Sequence, residues 1–258
     1  MSRKGRQHAR DTLARIRAQQ SRRRRRRLWL AGIGGVIVAA VAVVAIVLAV
    51  GGGGGPQSPA SGSPRLDLAP LATLGNVTTP PSAGPLGPEG VPIPAAAQLA
   101  STASSAQGQQ IEGIGCLGSE QTLFHIHAHL TIFVNGAPRQ VPAGIGIPGA
   151  VAQNTAQGAF ITSGNCFYWL HTHSADGIIH IESPVQREYT LGNFFAEWGQ
   201  PLSPAQVGPA RGRVTAIYDG QVYRGNPADI PLTKHAQIQL EVGTPLVGPE
   251  SITWPAGL

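Results

Sequence analysis

The sequence predicts a mainly β domain over residues 111–258, an antiparallel β sandwich or barrel with one short helix, preceded by a single transmembrane helix and a disordered linker. Three observations lead there. Apolar and polar residues alternate over Thr122–Val134 and again over His235–Val242, the period of a half-buried strand. Turn signals recur between short apolar runs, at Asn135-Gly136, Asp176-Gly177 and Asp219-Gly220. Leu191–Trp198 alone in the domain reads as a helix, with Thr190 as its N-cap and Gly199 as its stop.

Residues 1–27 form a basic tail. Twelve of the 19 Lys and Arg precede Leu28, with one acid, Asp11, so the tail is near +11 and the remainder near −5, within a net charge of +6. A basic charge confined to a tail beside an apolar run points to membrane topology and away from nucleic acid. Leu28–Val50 carries no charged residue. As a helix it would span about 34 Å, enough to cross the hydrocarbon core. Arg22–Arg27 precede it directly, which puts the N-terminus in the cytoplasm and the C-terminal domain outside. The run exceeds the roughly 7–15 apolar residues of a signal peptide and ends in Gly51–Gly55 without an Ala-x-Ala site, which favours a retained anchor. Residues 51–110 are rich in Gly, Pro, Ser and Ala and are expected to be a spacer.

Within the domain, Phe124, Ile126, Ala128, Leu130, Ile132 and Val134 share one strand face, and His125, His127, His129, Thr131 and Phe133 share the other. Asn135-Gly136 turns the chain into a return strand near Arg139–Pro142. Phe167–His173 and Ile178–Ser183 form a second hairpin across Ser174–Gly177, and Arg213–Tyr218 and Gln221–Arg224 form a third. Cys116 and Cys166 flank the first histidine-rich stretch. Outside the cytoplasm such cysteines pair, closing a loop of about fifty residues and contributing roughly 4 kcal/mol in the chain-entropy model. Ligation of a metal by their thiolates is the alternative.

Seven of the eight histidines fall in the domain: His125, His127, His129, His171, His173, His180 and His235. Residues two apart on a strand point the same way, so each His-x-His pair shares a face. If Ser174–Gly177 is a four-residue loop, His171 opposes His180; if the turn is tighter, His173 does. Both registers leave His171, His173 and His180 on one face beside Glu182, and a slip of one residue would break this. Convergent imidazoles suit zinc or copper. His125 and His129 lie about 13 Å apart along an extended strand, so one or two of His125, His127 and His129 are expected to join the second hairpin or to form a second site. His235, on the polar face of its strand with Gln237, Gln239 and Glu241, is a further candidate ligand. A blue-copper site is disfavoured because Met1 is the only methionine. Glu182 also lies too far beyond His171 and His173 for the cupin spacing.

The stretches FHIHAHLTIFVNG, YWLHTHSADGIIHIESP and LGNFFAEWG resemble a family of exported, membrane-anchored, His-rich β-domain proteins of actinobacteria and some archaea that has no assigned function. The resemblance covers much of residues 116–242. It implies export and a single domain, and supplies no reaction.

The sequence thus reads as a membrane-anchored extracytoplasmic module binding a copper or zinc ion. Three alternatives stay open. One is a metalloenzyme in which three histidines hold an ion that activates water, with Glu182, Asp176 or Glu197 as base. Another is a wall- or partner-binding module without metal, using Tyr168, Trp169, Phe195 and Trp198 as a binding face. The last is a pH-sensitive imidazole cluster.

Overall fold

The computed structural model describes residues 66–258, so the expected tail (1–27), the expected membrane helix (28–50) and the first part of the expected spacer lie outside the described residues. Among the described residues no helix is long and apolar enough to cross a membrane.

The fold is mainly β with one α-helix. Its principal sheet has eight strands, numbered along the chain: β1 Leu68–Ala69, β2 Phe124–Val134, β3 Ala137–Arg139, β4 Leu170–His171, β5 Ile178–Ser183, β6 Val214–Tyr218, β7 Gln221–Tyr223 and β8 Gln237–Val242. The order is β1-β7-β6-β8-β2-β5-β4, with β3 sharing the β5 side of β2. Short pairs flank it, including Cys116–Leu117 against Phe167–Tyr168 and Val151–Thr155 against Gly158–Ser163. The predicted turns give the expected hairpins β2–β3 and β6–β7. The disulfide joins Cys116 to Cys166, which removes the thiolate alternative.

The sheet is open and mixed, so the expected antiparallel sandwich or barrel is corrected: no barrel closes, and β8 runs parallel to β2. The chain enters β8 antiparallel to β6, on the side of β6 away from β7, and so lies alongside β2 in the same direction. That pairing makes β2 central, and His127–Phe133 are buried on both faces where a half-buried strand was expected. On β8 the polar residues Gln237, Gln239 and Glu241 hold the C-terminal segment. Their side-chain oxygens accept from the backbone N–H of Ile252 (2.7 Å), Glu250 (2.8 Å) and Val247 (2.7 Å). Groups that read as a solvated face are thus satisfied by a covering segment, as buried polar atoms require.

The expected boundary at residue 111 also moves. The described residues from 66 to 258 fall in one compact unit. β1 pairs with β7, Val91 and Leu99 are buried, and Gln98 bridges to Gln140. A Pro- and Gly-rich composition reads as spacer because it lacks periodicity. Here irregular backbone docks on a finished sheet through a few apolar side chains.

The helix α1, Leu191–Trp198, forms where predicted. Thr190 and Asn193 cap it reciprocally, and Gly199 ends it with φ 68°. A Cβ at Gly199 would also lie 2.0 Å from the Ser104 carbonyl oxygen, so the stop fits only glycine. Leu191, Phe194, Phe195 and Trp198 enter the core with Tyr168 and the apolar face of β2 and β5. Trp198, Phe195 and Tyr168 are therefore core residues, and Trp169 packs against them, which removes the aromatic binding face expected as an alternative.

Leu99→Ala is expected to lower the unfolding free energy by about 2–4 kcal/mol in urea titration, through lost burial and a residual cavity. A change within error of zero would return residues 66–110 to the role of a spacer.

Candidate metal centre

The β2–β5 ladder places His125 opposite Glu182 and His127 opposite His180, and the β4–β5 ladder places His171 opposite His180. Directly opposed residues share a sheet face. His127, His180 and His171 thus form a row across three strands, with His125 and Glu182 two residues further along. The loop Ser174–Gly177 has the four-residue register, and His173 follows β4 to pack against His180 with ring centroids 4.6 Å apart. Gly177 (φ 87°) lets this loop lie on β2, since a Cβ there would sit 2.3 Å from the Leu130 carbonyl oxygen.

The ring nitrogens converge. His171 Nε2 lies 3.2 Å from His173 Nε2, and His127 Nε2 lies 3.1 Å from both His125 Nε2 and His180 Nδ1. Glu182 Oε1 is 3.1 Å from His125 Nε2 and 3.5 Å from His180 Nδ1. The far nitrogens are anchored. His171 Nδ1 donates to the Tyr168 carbonyl (2.8 Å), His173 Nδ1 to the Ile161 carbonyl (2.6 Å) and His180 Nε2 to Glu89 Oε1 (2.7 Å). With one N–H held by a carbonyl, the rings of His171 and His173 present a lone pair on the other nitrogen, the arrangement that orients histidines as metal ligands.

Burial and charge sort the protons. Burial, then the neighbouring rings, lowers His127 to about 3. Burial also puts His171 well below its ordinary value and lowers His173. His180 is the exception. Burial pulls it down, but its hydrogen bonds to Glu182 and Glu89 outweigh that and raise it to about 9. Without metal, the His180 imidazolium therefore stands beside the neutral rings of His127, His171 and His173. Glu89, Glu182 and Asp176 each keep one buried oxygen without a hydrogen-bond partner. A cleft of about 330 Å³, lined by Glu120, His125, Phe160 and His173, opens over the cluster.

Comparison with protein-family models, curated proteins and solved structures finds no match for this chain.

Five of the seven expected histidines come together: His125, His127, His171, His173 and His180. With Glu182 and Glu120 they make three sets whose donor atoms lie within 4.8 Å of one another, and such sets are able to hold a metal ion. His129 and His235 belong to none of these sets. The buried His129 bonds through Nε2 to the Asp176 carbonyl at 2.9 Å. His235 precedes β8 in a left-handed conformation (φ 64°), so the strand alternation that placed its ring beside Gln237 does not reach it. Its ring stacks on Trp254 with centroids 4.5 Å apart. Of the expected bases, Glu182 is in the cluster. Glu197 is buried in the core on α1, and Asp176 is buried in the loop after His173, where burial, then Glu89, raises it to about 7. Glu89 and Glu120 were not anticipated. Glu89 is one of two acids in residues 51–110, and that rarity was the one signal available.

His129 gives a pH test of the metal-free protein. Burial lowers it from 6.5 to about 4, so its neutral form stabilises the fold above pH 6.5, and that stability is lost as pH falls through about 4. His180 acts in the opposite sense, with its contribution complete below pH 6.5 and lost as pH rises through about 9. The urea midpoint should fall between pH 6.5 and 4, and fall less in His129→Gln. Parallel curves for the two proteins would refute the assignment to His129.

Proposed function

We propose that this protein is a membrane-tethered, extracytoplasmic module that binds a first-row transition ion, copper or zinc, at the histidine cluster. The opposition of His171 Nε2 and His173 Nε2 carries the reading. Both Nδ1 atoms donate to carbonyls, so two lone pairs face each other at 3.2 Å. A cation between them turns that repulsion into coordination. Zinc bound tetrahedrally at about 2.0–2.1 Å holds neighbouring donors about 3.3–3.4 Å apart, close to the spacing found. Carbonyls behind His171 and His173 and a carboxylate behind His180 are the outer partners that metal-bound imidazoles use. The tether rests on Leu28–Val50 and the arginines before it, and export is supported by the Cys116–Cys166 bridge.

The cleft favours a second reading, a metalloenzyme. It leads from solvent to the cluster past the part-exposed His125 and Glu120. An ion with one open position there would bind and acidify water.

The test is metal content of the full chain, made without a histidine tag and assayed before and after dialysis against a weak chelator. Retention of near-stoichiometric copper or zinc is expected. His173→Ala should weaken binding by more than the about 10–100-fold that loss of an outer partner costs, with the circular dichroism unchanged. A folded protein that takes up neither ion refutes the proposal.

A further inference from the structure

We infer that the cluster holds two divalent first-row ions, bridged by the carboxylate of Glu182. The inference rests on the metal-binding reading above and adds to it the number of ions and the division of ligands between them.

The donors separate into two groups. His125, His127, His180 and Glu182 form one set. Its successive contacts are 3.1 Å from His125 to His127, 3.1 Å to His180, 3.5 Å to Glu182 and 3.1 Å back to His125. That is a complete three-nitrogen, one-oxygen complement for a four-coordinate ion. It leaves His171 and His173 over, yet these two are the best prepared of all, each with its far nitrogen held by a carbonyl. They belong to a second set with His180, and Glu120 approaches His173 Nε2 at 3.5 Å. Five imidazoles and a carboxylate exceed what one tetrahedral ion accepts.

Glu182 connects the groups. Its Oε1 completes the first set, while its Oε2 is buried and has no hydrogen-bond partner. A third set joins Glu182 to His171 and Glu120 on the other side. A carboxylate with one oxygen toward each ion is suited to a pair about 3.5–4 Å apart, the usual spacing of two-metal sites. Further acids stand close by. Glu89 and Asp176 are buried with one unpartnered oxygen each, and Glu120 approaches His173 from the rim.

The experiment titrates the full chain, without a histidine tag, with Zn²⁺ and separately with Cu²⁺ under non-reducing conditions, counting bound metal after gel filtration. Two equivalents per chain are expected. The double variant His171→Gln/His173→Gln and the double variant His125→Gln/His127→Gln should each keep one. Saturation of the unaltered chain at one equivalent overturns the two-ion inference and leaves the proposed function standing; no binding at all overturns both. Should a double variant misfold, the unaltered chain loaded with Cu²⁺ still decides. Two coupled ions suppress the ordinary electron paramagnetic resonance signal and give a half-field transition. An uncoupled signal integrating to one spin per ion overturns the bridge.

Discussion

Antiparallel pairing of β2 with β5 sets His127 against His180 and His125 against Glu182, and every other member of the cluster is placed by what packs around those two pairs. A one-residue slip would send the histidines into the core and bring Ile179 and Ile181 out. Burial forbids it, because Ala128, Leu130, Ile132, Ile179 and Ile181 fill the same core as α1. The apolar face thus fixes the register, and the polar face inherits its chemistry from it.

The cost of this arrangement is electrostatic. Neutral imidazoles, the His180 imidazolium and the carboxylates of Glu89 and Glu182 are buried together beneath the cleft. Backbone carbonyls of Tyr168 and Ile161 offset part of that cost by accepting hydrogen bonds from ring N–H groups, and Glu89 accepts another from His180. One oxygen each of Glu89, Glu182 and Asp176 is left buried without a hydrogen-bond partner. A site built this way is able to accept a cation without rearranging its rings, which is the physical content of a preorganised ligand set.

The local pattern was readable in the sequence to the extent that it is local. Alternation placed β2 and the common face of His125 and His127. Turn residues placed the hairpins at Asn135-Gly136 and Asp219-Gly220, and cap chemistry placed α1 to the residue. The second hairpin fits two registers in the sequence, and the folded chain takes the one that sets His171 against His180. Long-range features had no such signal. Nothing in Gln237–Val242 announces that it lies parallel to β2 across the sheet. His235 looked like a member of that strand because alternation cannot report a left-handed φ. The carbonyl behind His173 belongs to Ile161, on a neighbouring strand pair, and only the folded chain brings it there.

Glu89 comes from a stretch whose composition suggests a mere tether, yet its carboxylate grips His180 and Val91 beside it is fully buried. The segment is therefore part of the site. A fragment started at residue 111, the cut that composition invites, would keep every histidine of the cluster and lose the acid that orients the central one. Ion affinities measured on such a fragment would describe a different molecule, and the linker of any chimera would have to be spliced upstream of β1.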